Sequence, residues 1–211
     1  MKTENNKPHL KNKEFILSLI YSIALLAVSL FINYYAGNYA TNNQSNWVED
    51  IILDNIRTYN VNFVFVYGSI IFWVGVIFIS LTKPHKIPFT FKSISLFILI
   101  RSLFVILTHI GANPGHIPIP EDSLISKFTF GGDLFFSGHT GLPFLMMLVY
   151  WEHPHFRYVF MTLSFVFGIV VLMGHLHYSI DVLSAFFITY TIYHISLKLF
   201  PKDKETFEKY F

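Results

Sequence analysis

The sequence predicts an all-α, polytopic membrane protein with six transmembrane helices and both termini in the cytoplasm. Three observations predict it. Of the 211 residues 53% are hydrophobic and 18% aromatic, and only 13% are charged, against about 25% charged in a soluble domain. Apolar runs of the ~20 residues needed to cross a bilayer recur along the chain. Lysine and arginine gather in alternate connections between those runs, the bias that sets membrane orientation. The formal net charge of +2 is too small to imply a nucleic-acid partner. The absence of cysteine excludes disulfides, thiolate chemistry and cysteine metal sites.

The start, MKTENNKPHLKNK, is polar and basic. The apolar run behind it is too long for a signal-peptide core and lacks a small-residue cleavage pattern, so it reads as a retained first span, Phe15 to Ala36. The second span, Val61 to Thr82, is likewise uncharged, and the third, Ser93 to Gly111, contains Arg101. A fourth is expected from Leu134 to Trp151 and a fifth from Tyr158 to Gly174. The sixth runs from Tyr178 to Phe200, with Asp181 near its start. Lys2, Lys7, Lys11 and Lys13 precede the first span; Lys83, Lys86 and Lys92 lie between the second and third. Arg157 lies between the fourth and fifth, and Lys198, Lys202, Lys204 and Lys209 close the chain. The alternate connections hold only Arg57 and Lys127 as basic residues, so 37–60, 112–133 and 174–178 are expected to face outward. No repeat or linker divides the chain, and residues 1–211 read as one integral membrane domain.

Polar residues at membrane depth are costly and ask for a reason. They cluster here. The string Gly131-Gly132-Asp133-Leu134-Phe135-Phe136-Ser137-Gly138-His139-Thr140 opens the fourth span, and His175, His177 and Asp181 open the sixth. The charge argument, which uses none of these residues, puts both groups on one side of the membrane. On a helix His177 and Asp181, four apart, share a face. A carboxylate on one imidazole nitrogen fixes the tautomer and leaves the other nitrogen free as base or nucleophile. His139 follows Ser137-Gly138 at a helix start, where unpaired N–H groups favour a phosphate and glycine permits close approach. Two histidines at one anionic site suit a two-step displacement: one attacks phosphorus, and the other protonates the departing oxygen and then activates the acceptor.

Each residue alone has a plainer explanation. A histidine at a span's outer end is commonly interfacial, an i, i+4 His–Asp pair can be structural, and Asp133 and Ser137 can act as helix caps. Arg101 can clamp phosphate or pair with Asp133 or Asp181; Thr108, seven residues on, would share its face and a polar path. The loop acids Glu121 and Asp122 read as solvated charge or as partners for a cationic headgroup. A zinc reading of His175, His177 and Asp181 exists, but a helix would point residues two apart in different directions.

At these residues the sequence resembles the sphingomyelin synthase family, a branch of the type-2 phosphatidic acid phosphatase superfamily. GGDLFFSGHT at 131–140 resembles the motif around that family's first catalytic histidine, and GHLHYSIDV at 174–182 the motif with its second histidine and aspartate. RSLFVILT, with Arg101 and Thr108, is similar to its R-x6-T pattern. The resemblance covers about 95–195 and implies that His177 is the nucleophile, Asp181 its orienting partner, and His139 the acid and base. Arg101 and Thr108 by that match, with Ser137, Gly138 and Asp133 from their place at the start of the fourth span, are the candidate substrate- or phosphate-binding residues. It implies transfer of phosphocholine or phosphoethanolamine from a glycerophospholipid to ceramide or a similar lipid alcohol, with no metal or organic cofactor. The site would face the outside of a bacterial inner membrane, or the corresponding face of a Golgi-type or plasma membrane. The chain departs from the lipid phosphatase branch in lacking K-x6-R-P and an S-R pair before the second histidine. It departs from well-known animal transferases in placing Leu176 where they carry an acid. A lipid phosphate phosphatase with water as acceptor is the alternative. A transporter or scaffold would distribute intramembrane charge along a path rather than gather it at one face.

Overall fold

A computed structural model describes residues 12–118 and 132–209; Lys2, Lys7, Lys11, Glu121, Asp122, Lys127 and Gly131 lie outside the described residues. Seven α-helices occur among the described residues: α1 (Lys13–Asn42), α2 (Asn62–Thr82), α3 (Ile87–Leu107), α4 (Gly138–Val149), α5 (Pro154–Met173), α6 (Ser179–Leu199) and α7 (Pro201–Lys209). Asn12 caps α1 by accepting the Glu14 N–H at 3.0 Å. The helix outruns the expected Ala36 because Asn38 and Thr41 bond back to the carbonyls of Tyr34 and Gly37, at 2.8 Å each. Such bonds satisfy polar side chains within the helix itself. α3 begins six residues before the expected Ser93, with Pro88 in the first turn, where its missing N–H costs nothing.

Five of these helices are long and apolar enough to cross a membrane. Wide apolar faces of α1, α2, α5 and α6 stay exposed, Phe31, Phe63, Ile71 and Phe187 among them. On a multi-pass integral membrane protein that surface meets lipid. The expected fourth span is not among those five helices. Its helix, α4, has 12 residues and is about 18 Å long, short of a ~30 Å hydrocarbon core. Residues 134–137 of the apolar run are not helical but loop, buried except for the half-buried Phe135. Backbone of that kind survives at membrane depth only where protein groups satisfy it, and Arg101 does so here.

α1 packs along α3, and α4 packs between α5 and α6. Phe97, Phe136, Leu145 and Met146, all fully buried, join these layers. At the end away from His139, α7 turns back onto the bundle. Its Asp203 bonds Lys92 of α3 at 2.6 Å and the Ser18 hydroxyl of α1. Lys86, fully buried, lies 4.1 Å from the Phe207 ring centroid and 5.6 Å from that of Tyr150, and bonds His153.

Candidate active site

The two histidine motifs meet at one end of the bundle. A main-chain bond joins them, from Ser137 N–H to the Asp181 carbonyl at 3.0 Å. The agreement inferred from charge is therefore a direct contact in the fold.

Asp181 is fully buried in the first turn of α6. Its Oδ2 accepts the Tyr178 N–H at 3.0 Å and lies 3.1 Å from His177 Nδ1. With Nδ1 held by the carboxylate, Nε2 is the nitrogen left for chemistry. His177 precedes α6 instead of lying on it, so the pair forms through a capping geometry and not through a shared helical face.

His139 stands in the first turn of α4. Its ring centroid is 4.2 Å from that of Phe65 on α2 and 6.1 Å from that of Phe167 on α5. Gly138 brings the helix start against Arg101: a Cβ there would stand 3.3 Å from the guanidinium Nε. The Ser137 hydroxyl accepts the Thr140 N–H at 3.3 Å and is fully buried, so the structure places it as the cap of α4.

Arg101 donates from Nε to the Phe136 carbonyl at 3.1 Å, and from Nη2 to the carbonyl and Oδ2 of Asp133 at 2.9 and 3.0 Å. The ion pair with Asp133 is formed, while Asp181 serves His177. Nη1 takes part in none of these bonds, and Arg101 lines the cavity described next. The loop that Arg101 ties contains Phe136 at φ 31°, a backbone region that costs about 1–3 kcal/mol for a residue other than glycine.

A cavity of about 630 Å³ connects these groups. Its polar end is formed by Arg101, Asp133, Gly138, His139, His175 and His177. Its remaining wall is largely apolar and descends past Phe72, Trp73 and Ile98. Leu30 and Tyr34 of α1 line it while being 49% and 50% exposed, so it reaches the lipid-facing surface there. α1 and α2 contribute opposite stretches of lining but scarcely touch each other. Thr108 is not among the lining residues; it follows the last turn of α3 and bonds the Phe104 carbonyl at 3.0 Å. Among the described residues, no three His, Asp or Glu side chains converge as a metal site.

Residues 131–198 match the model of the PAP2 superfamily C-terminal domain. The match covers about a third of the chain. It spans α4, α5 and nearly all of α6, and so includes His139, His175, His177 and Asp181, while Arg101 comes from outside it. Members of this superfamily are generally phosphatases and phosphotransferases. No curated protein matches the chain, and no solved structure does.

Two features of the site escaped the sequence reading. Asp50, 7% exposed, caps the start of α6 from the loop after α1, accepting the Ser179 N–H at 2.6 Å. Its only sequence signal is an acid among turn residues; the partner lies 129 positions away. The second is the backbone of His175. The α5 terminus closes with Leu176 N–H to the Val171 carbonyl at 2.8 Å and His175 N–H to the Leu172 carbonyl at 3.0 Å. That bond pattern is a Schellman motif, which puts its C′ residue in the left-handed region. The C′ residue is His175, at φ 52°, and a side chain there costs about 1–2 kcal/mol.

Proposed function

We propose that this protein transfers a phospho-headgroup from a membrane glycerophospholipid to a lipid alcohol through a phosphohistidine, in the manner of the sphingomyelin synthases. One observation carries the reading: a single cavity connects the His177–Asp181 pair and His139 with the lipid-facing surface at Leu30 and Tyr34. Such a cavity suits an amphiphile whose phosphate reaches the histidines while its chains remain in apolar surroundings.

In the first step the His177 Nε2 lone pair attacks phosphorus, the P–O bond to diacylglycerol breaks, and His139 gives its proton to the departing oxygen. In the second step the acceptor hydroxyl loses its proton to His139 as its oxygen attacks phosphorus, and the N–P bond to His177 breaks. Asp181 holds the imidazole and stabilises the positive charge that develops on it. The free Nη1 of Arg101 and the start of α4 stabilise charge on the phosphoryl oxygens. The lysine distribution puts this end of the bundle on the non-cytoplasmic face.

The PAP2 match favours one competing acceptor, water, which would make the protein a lipid phosphate phosphatase. A product assay separates the two. Purified protein in detergent receives labelled phosphatidylcholine or phosphatidylethanolamine, with and without ceramide, beside the His177→Ala variant. Transfer predicts diacylglycerol and a phosphosphingolipid that depend on both ceramide and His177. Release of free phospho-headgroup without ceramide identifies a hydrolase. Full activity in His177→Ala refutes the mechanism.

A further inference from the structure

His175 lines the catalytic cavity, is 7% exposed, and has no part in the two-step displacement. Its Nε2 is buried and meets no hydrogen-bond partner among the described residues. Buried polar atoms of this kind are uncommon, because each forfeits its bonds to water. The neighbouring loops hold the ring. Nδ1 lies 3.4 Å from the Thr58 hydroxyl, and a Cβ on Gly115 would stand 3.0 Å from the same nitrogen. A Thr58 hydroxyl that donates to Nδ1 keeps the ring proton on Nε2, which is then a positioned donor with nothing to receive its bond. The backbone adds a second, independent sign. The left-handed place at the end of α5 favours glycine, and Gly174 stands one residue earlier at φ −86°. The histidine occupies the strained position itself. Strain of this sort collects at functional sites.

We propose that His175 is a third histidine of the site, a phosphate-binding residue that donates from Nε2 to an oxygen of the phospho group held between His139 and His177. The inference rests on the phosphate reading given under the proposed function. The neighbours fit an anion: Arg101, Gly138 at the start of α4, and the two other histidines share the polar end of the cavity. Asp133, the acid that lines the same end, is engaged by Arg101.

The test uses the full chain in detergent and needs no natural substrate. Orthovanadate and inorganic phosphate are titrated while the melting temperature is followed, since a ligand of the folded state stabilises it by an amount that grows with the logarithm of the ratio of ligand concentration to Kd, so the titration reports affinity. His175→Gly suits the left-handed backbone and removes the donor; His175→Phe keeps a ring in place and removes the donor. Both variants are expected to bind vanadate about tenfold or more weakly, the loss typical of one hydrogen bond to a charged group. In His175→Gly the ligand-free melting temperature stays at or above wild type. Wild-type vanadate affinity in either variant gives the ring a packing role and overturns the proposal. If wild type responds, and the response is lost in His177→Ala but kept in both His175 variants, this inference fails while the phosphate reading stands. A wild-type protein that responds to neither anion overturns both.

Discussion

Replacing Asp50 tests whether the start of α6, which carries Asp181, is held by the loop after α1. Its carboxylate accepts the Ser179 N–H at 2.6 Å through Oδ2, and the N–H groups of Ile52 and Leu53 at 2.9 and 3.1 Å through Oδ1. Asp50→Ala leaves three donors without an acceptor. A fully buried orphan costs about 1–3 kcal/mol, but Ile52 is 39% exposed and recovers its bond from water, whereas Leu53 is 2% exposed and does not. The expected loss is about 2–4 kcal/mol, and about 1–2 kcal/mol for Asp50→Asn, which keeps one acceptor oxygen. Ser179 is two residues from His177, so freeing it would also shift the proposed nucleophile. Turnover should fall about tenfold, within the hundredfold that a 1 Å misplacement can cost.

The pH dependence follows from the same bonds. Burial pushes the Asp50 carboxyl up, but the N–H groups of Ser179, Leu53 and Ile52 outweigh it and hold the group below its ordinary 3.8. With a lowered folded value, the contribution is present above that ordinary value and is lost as the pH falls through the folded one. The difference between wild type and Asp50→Ala should therefore be constant near neutrality and shrink in acid below about pH 4. Equilibrium unfolding in detergent, read by tryptophan fluorescence at several pH values, measures it. An Asp50→Ala protein within about 0.5 kcal/mol of wild type at pH 7, with unchanged turnover, refutes the reasoning.

Arg101→Lys keeps the charge and loses the fork that reaches Phe136 and Asp133 together. We expect a loss of about 2–3 kcal/mol of stability and weaker phosphate binding, read by unfolding and by vanadate titration; wild-type values in both assays contradict the assignment. Asp203→Asn leaves Lys92, 6% exposed, without its carboxylate. Removing one partner of a buried pair costs up to about 3–5 kcal/mol, and the residual Ser18 bond should hold this loss near 2–3. Hydrogen exchange should report the release of α7, and protection of α7 equal to wild type shows that the clamp is dispensable.

The histidine motifs were legible because polar groups at membrane depth stand out against apolar neighbours, and lysine bias alone grouped them. The short α4 was not legible. Leu134, Phe135 and Phe136 are as apolar as the helix that follows, so hydropathy extends the span across them. Only the Arg101 bonds to the carbonyls of Asp133 and Phe136 explain how non-helical backbone persists there. No helix was expected after Phe200, because the packing of α7 depends on Asp203 and Phe207 reaching Lys92, Lys86 and Tyr150, pairings that no local pattern encodes. His175 was set apart from His177 on helical geometry, but the two occupy an irregular link, and both line the cavity.

The main-chain bond between Ser137 and Asp181 constrains how the cavity admits a bulky guest. Drawing α4 away from α6 would break that bond and strain the Arg101 fork on the adjacent loop, while α1 is fastened along α3. Among the described residues α2 is the more loosely held wall: it leans mainly on α5, its Asn62 bonds the Pro118 carbonyl at 3.2 Å, and it carries Phe65 over the His139 ring. A two-tailed lipid of the kind proposed, entering past Leu30 and Tyr34, would therefore meet the least resistance from α2. The aromatic face that meets the proposed acid belongs to that helix, so any displacement of α2 by the guest would uncover His139 in the same movement.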